Sequence, residues 1–168
     1  MIPRRVSFVL VALATLALNA CGFHLRQEAR LPSGMQRVQI LGAEPVSTLG
    51  RDLAKALARA GAVVVDAAGE GTAQLRIGVD RTSTDVLSVG SNARANEYTL
   101  RYHVEFDVLA ADGDPLVPRQ VIELTREFTF DATQALGVAA EQDLLTRELQ
   151  REMVQAIMRR IEAGAEAG

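Results

Sequence analysis

The chain has a single cysteine, Cys21, and no tryptophan, so an internal disulfide cannot form. Its two histidines, His24 and His103, are far apart, and no helical histidine pair with metal-ligand spacing exists. No Gly-rich loop joins a strand to a helix, and no serine stands in a nucleophile elbow. These absences argue against metal, nucleotide and serine-nucleophile chemistry, and the expectation is a non-enzyme without metal or cofactor. No basic tract is present and the formal net charge is −3, which disfavours general nucleic-acid binding. Beyond the first twenty residues, no apolar run is long enough to span a bilayer as a helix.

What is present begins with those twenty residues. Arg4 and Arg5 precede an uncharged, largely apolar run from Val6 to Leu18, shorter than the roughly 20 residues a membrane-spanning helix needs. This reads as an export signal. It ends in Leu18-Asn19-Ala20-Cys21-Gly22, which resembles the bacterial lipobox. The resemblance implies cleavage after Ala20, a diacylglyceryl group on the Cys21 sulfur and acylation of the new amino group. Several acyl chains hold a membrane far more firmly than one, because each buried methylene contributes about 0.8 kcal/mol. Gly22 stands where an aspartate would, by the lipoprotein sorting rule, retain the protein in the inner membrane; the outer membrane is expected.

Four segments are expected: a signal peptide over 1–20, a lipidated tether over 21–34, one domain over 35–162 and a short tail of small residues over 163–168. Removing the leader takes away two arginines and no acid, leaving a more acidic chain of single-domain length.

Within the domain, Val38 and Ile40 alternate with polar neighbours over Arg37–Leu41 and predict a first strand. From Ser47 the period changes to three and four, through Leu49, Leu53, Ala56, Leu57 and Ala60. A helix is expected, capped by Ser47 or Thr48 and ended by Gly61. Val63 to Val65 fits either a short strand or a connector. Ala73, Leu75, Ile77 and Val79 alternate with polar residues as a half-buried strand. The stretch Arg81 to Ala95, rich in Ser, Thr, Asn and Gly, reads as a loop. The strongest signal is Tyr98, Leu100, Tyr102, Val104, Phe106 and Val108 against Thr99, Arg101, His103, Glu105 and Asp107, a long strand with one buried face. After the turn at Asp112-Gly113, Val121 to Phe130 reads as its partner, with Arg126 breaking the apolar face through a bulge or a stem that carries its charge to solvent. A last helix is expected from about Ala140 to Ala163 on the stripe Leu145, Leu149, Met153, Ile157 and Ile161. The fold class is α/β (α+β): a two-layer sandwich with an approximately four-stranded, mainly antiparallel sheet covered on one face by two helices.

Glu105 and Asp107 lie two apart on one strand face, an arrangement that suits either a carboxylate pair or a solvated face of mixed charge. Arg76 and Arg101 fall on the predicted outward face, and Asn92 and Arg94 lie in the loop from Leu87 to Asn96. Through charge-assisted bonds such arginines can meet carboxylates or phosphates.

Several local patterns occur together in order: Gly22-Phe23-His24-Leu25-Arg26 then Leu31-Pro32 after the cysteine, Asn96-Glu97-Tyr98 opening the long strand, Phe128-Thr129-Phe130-Asp131 then Ala135-Leu136, and Glu141-Gln142-Asp143 opening the last helix. Together they resemble the lipopolysaccharide-assembly lipoprotein (LptE) family over almost the whole mature chain. The chain departs from the family at Val138, where members often carry lysine. The resemblance implies a plug-like lipoprotein at the periplasmic face of the outer membrane, lipid-anchored in its inner leaflet. It sits in the β-barrel of the translocon, LptD, helps that barrel assemble and takes part in delivering lipopolysaccharide. Arg76, Asn92, Arg94 and Arg101 are the expected contacts with partner or lipopolysaccharide, and the loop from Leu87 to Asn96 the expected inserting segment. The competing readings are an auxiliary lipoprotein of a periplasmic lipid-trafficking transporter and a small periplasmic hydrolase built around His103.

Overall fold

The computed structural model describes residues 31–89, 95–129 and 135–166. Elements follow in the order β1 (Arg37–Leu41), α1 (Thr48–Arg59), β2 (Val63–Val65), β3 (Thr72–Val89), β4 (Ala95–Leu109), β5 (Pro115–Thr129) and α2 (Ala135–Glu166). The five strands form one sheet in the order β2-β1-β3-β4-β5. Here β1 runs parallel to both β2 and β3, whereas β3, β4 and β5 are long antiparallel neighbours. The two-layer α+β expectation therefore holds, with five strands in place of four because Val63–Val65 joins the sheet edge.

The first helix forms as its punctuation demands. Ser47 caps it, its Oγ accepting from the Gly50 amide at 3.0 Å. Its apolar stripe buries Leu49, Leu53, Ala56 and Leu57. Gly61, at φ 91°, takes the left-handed conformation that ends it, and the Ala62 amide donates to the Leu57 carbonyl at 3.0 Å. On α2, Leu149, Met153, Ile157 and Ile161 are buried at four-residue steps. They meet Val38, Leu75, Leu100, Val104, Phe106 and Val108 from the sheet in one core, where each fully buried side chain contributes about 1.5–3 kcal/mol. Neither helix is long and apolar enough to cross a membrane.

Among the boundaries that differ from the sequence reading, four have a physical reason. The hydroxyl-rich stretch after Arg81 is not a loop: Arg81 to Val89 continues β3, because β4 extends opposite it and supplies the ladder partners. β5 begins at Pro115, whose missing amide is tolerated on an edge strand. Leu31 and Pro32 are not free tether: Leu31 packs on the core, Pro32 is buried, and the Met35 amide donates to the Pro32 carbonyl at 3.1 Å. Ala163 to Glu166 is helical. There the small residues serve close packing, since a Cβ on Gly164 would stand 2.9 Å from the Val117 methyl.

A bulge at Gly78 reorganises the middle of the sheet. Ile77 opposes Phe106, but the next paired residue, Val79, opposes Glu105, so one residue is inserted and the alternation of β3 changes face. Ala73, Leu75 and Ile77 are buried as their pattern predicts, while Val79 moves to the polar side. Beyond the bulge Asp80 opposes Val104 on the helix side, next to Tyr102. Burial first, and then the charge of Asp80, hold the Tyr102 hydroxyl above its ordinary pKa. Arg126 needs no bulge. It stays on the helix side, and its Nη2 donates to Glu152 of α2 at 2.5 Å.

Candidate functional site: the uncovered sheet face

Both helices pack on one face of the sheet, so among the described residues the other is lined by side chains alone. Its alternation presents Arg101, His103, Glu105 and Asp107 from β4, Arg76, Arg81, Ser83 and Asp85 from β3, and Arg119, Val121 and Glu123 from β5. Two of the register shifts in the sheet set which of these meet. A shift between Phe106 and Val108 brings Arg119 beside Glu105, and the Gly78 bulge places Asp85 rather than a neighbour within reach of Arg101.

A lattice of alternating charge results. Arg76 donates from Nε and Nη2 to the two oxygens of Asp107 at 2.6 and 2.7 Å. Arg101 joins Asp85, at 3.2 Å from its Nε, to Glu123 through its Nη1. Arg119 pairs with Glu105. His103 stands between two carboxylates, its Nε2 3.2 Å from Glu105 and its Nδ1 3.5 Å from Glu123. These contacts hold the guanidinium pKa values of Arg76, Arg101 and Arg119 above the ordinary arginine range, through hydrogen bonds to Asp107, to Asp85 and Glu123, and to Glu105 respectively. The hydrogen bond from Arg119, followed by that from His103, holds the Glu105 carboxyl below its ordinary range.

The predicted residues fare unequally under this geometry. Arg76 and Arg101 lie on the open face, as expected, but each is matched by carboxylates of this chain. Three arginines face four carboxylates in the lattice, so it offers no surplus positive charge to an anion. Glu105 and Asp107 are not a free carboxylate pair, because each is engaged by a different arginine. Asn92, Arg94, Ala20 and Cys21 lie outside the described residues, as does 90–94 of the proposed inserting loop. Asp85, Arg119 and Glu123 were missed. Only cross-strand register, which the chain does not print in its local pattern, brings them to the lattice.

Gly78 opens one shallow depression in this face, about 150 Å³, walled by Arg76, Glu105, Asp107 and Arg119 and floored by Phe106. Among the described residues, no cluster of His, Cys, Asp and Glu is arranged to hold a metal ion.

Comparison with known proteins agrees with this architecture. The family model described as LptE, lipopolysaccharide-assembly, matches residues 35–161. An LPS-assembly lipoprotein LptE of Photorhabdus laumondii is 24% identical over 94% of this chain and 85% of its own length. One from Yersinia pestis is 29% identical over 94% of this chain and 75% of its own. Among solved structures, lipoprotein B of Nitrosomonas europaea superposes with a TM-score of 0.73 at 33% identity, covering 88% of this chain and 94% of that one. The rare lipoprotein B of Shewanella oneidensis shares the fold, with a TM-score of 0.65 at 24% identity over 76% of this chain and 94% of that one. With the sheet, the first helix and most of the second inside the matched span, the chain belongs to the lipopolysaccharide-assembly LptE family.

Proposed function

We propose that this protein is a lipid-anchored subunit of the outer-membrane machinery that delivers lipopolysaccharide to the cell surface, working as plug and assembly factor for the β-barrel LptD. In this reading the chain is cleaved after Ala20, acylated on Cys21 and held at the periplasmic face of the outer membrane, with 21–34 as the lipidated approach to the domain. Its contribution is binding and shaping of a partner, with no catalysis and no cofactor beyond the covalent lipid.

Family membership supports the assembly role, and the open sheet face supports the kind of partner. A single observation carries the latter: among the described residues, one sheet face carries ion pairs and no covering element. Large outer-membrane barrels have polar lumens that a plug can fill. A face of internally paired charges suits such a wall, since each ion pair enters the contact with its partner already in place and less desolvation is left uncompensated. Arg76 and Arg101 act there as members of pairs, with Asn92 and Arg94 as further contacts. Lipopolysaccharide then meets the complex rather than an arginine cluster on this domain.

The test is purification of the full-length protein with its envelope partners in mild detergent. A barrel protein in stoichiometric amount is expected, and radiolabelled palmitate should enter the wild type but not Cys21→Ser. Copurification with an inner-membrane transporter in place of a barrel would overturn the reading.

A further inference from the structure

The open face is interrupted at one point. Gly78 has no side chain to cover its strand, and the inserted residue leaves bare backbone beside Phe106. Glycine within a strand marks a place where something approaches the backbone closely, and sheets ordinarily cover such a position with an aromatic ring from the neighbouring strand. The neighbours here are Glu105 and Asp107, which turn to Arg119 and Arg76 and leave the glycine uncovered.

The size of the depression and its charge narrow what fits. Its volume of about 150 Å³ is well below the roughly 300–1,000 Å³ of pockets that hold small-molecule ligands, so it suits a single ring. Its two guanidiniums are each matched by a carboxylate, which disfavours an anion. Yet both are planar, fixed by those carboxylates and still 46% and 69% exposed along their side chains, the arrangement on which aromatic faces stack. A cavity for one ring, on a face rich in paired charge, has the form of an anchor pocket at a protein interface, where Tyr, Trp and Phe are enriched.

On the reading that this face meets the barrel wall, we infer that the depression over Gly78 receives one aromatic side chain projecting from the partner's polar lumen, held between Arg76 and Arg119. Gly78 is thereby a specificity position: its missing side chain is the seat.

Gly78→Leu fills the seat. A Cβ there meets only the Glu105 carbonyl oxygen, at 3.8 Å, so the variant should fold. In mild detergent, the full-length wild type should bring down the barrel and G78L at least tenfold less, while Thr99→Leu, of similar bulk elsewhere on the same face, should match the wild type. Should G78L fail to fold, the double variant R76A/R119A removes the walls and keeps the glycine, and a tenfold loss is again expected. Undiminished capture by a folded G78L, or by R76A/R119A, overturns the inference and leaves the plug reading standing. If the wild type captures no barrel, the plug reading falls, and the seat is judged on the isolated chain with indole as probe. Indole should then shift the amide signal of Gly78 and the Nε–H signals of Arg76 and Arg119 in the wild type only. No such shift overturns the ring assignment, and a dimer of the chain alone that G78L breaks would assign the seat to a second copy.

Discussion

Arg76 grips Asp107 across the β3–β4 pair with both Nε and Nη2, at 2.6 and 2.7 Å. Because the carboxylate uses both oxygens, the arginine brings no uncompensated charge to the open face. Asp107→Asn should therefore raise the affinity of the domain for lipopolysaccharide aggregates at low salt. The gain should shrink as the Debye length falls to about 8 Å at physiological ionic strength. Arg76→Ala should leave that affinity unchanged. A loss in R76A comparable to that of a phosphate-binding arginine would show that Asp107 does not neutralise it; titration of labelled aggregates checks both variants.

Glu105 gives the open face a pH dependence of known sign. Arg119 first, and His103 second, lower its pKa in the folded chain, so the folded state holds this proton less readily than the unfolded state does. The stability it contributes is complete above the unfolded glutamate value of about 4.3 and is lost as pH falls through the lower folded value. Glu105→Gln should be less stable than the wild type at about pH 7, and the two should converge as pH falls below the lowered folded value. Urea midpoints across that range measure this, and parallel curves for the two proteins would contradict it.

Two glycines should resist the usual gain from alanine. Exposed helical Gly→Ala ordinarily stabilises by about 1 kcal/mol. At Gly50, however, a Cβ would stand 2.4 Å from the Glu44 carbonyl oxygen, so Gly50→Ala should lower the melting temperature. At Gly42 the backbone is left-handed, φ 80°, and a Cβ would meet the Ile77 carbonyl at 2.0 Å. Gly42→Ala should cost more than about 1 kcal/mol. Thermal melts that rise in either variant would refute the close approach.

The core should be sensitive where the two layers meet. Leu53 on α1 and Ile157 on α2 have no exposed surface. Truncation of either to alanine should cost about 2–5 kcal/mol, since the cavity left between helix and sheet cannot fully collapse. Val86→Ala, at a position 56% exposed, should stay within about 0.5 kcal/mol of the wild type. Chemical denaturation of the three variants decides between these values.

Much of the architecture was legible in local pattern. Leu49, Leu53 and Leu57 repeat at helical spacing and are buried, and Tyr102, Val104 and Phe106 alternate as β4 does. Such periodicities are written residue by residue, because each element must present one apolar side. Less was legible where pairing decides the outcome. Arg81 to Val89 carries the composition of a loop and became strand because β4 runs opposite. Val79 continues an apolar alternation and ends on the polar face, because an extra residue at Gly78 shifts the register by one. Arg126, an interruption of the β5 core face, is explained by Glu152, 26 residues away on α2.

The open face shows the same division. By itself the sequence determined that Arg101, His103, Glu105 and Asp107 share one side of β4, since alternation depends only on the pleat. Its spaced patterns also determined the family resemblance. Which charges are paired, and so whether Arg76 and Arg101 offer free cations or cations matched by carboxylates, was decided only by tertiary structure. The reason is distance in the chain: Arg76 and Asp107 are 31 residues apart, and Arg101 and Glu123 are 22. Their contact depends on strand order and register, neither of which is a property of either residue's neighbours.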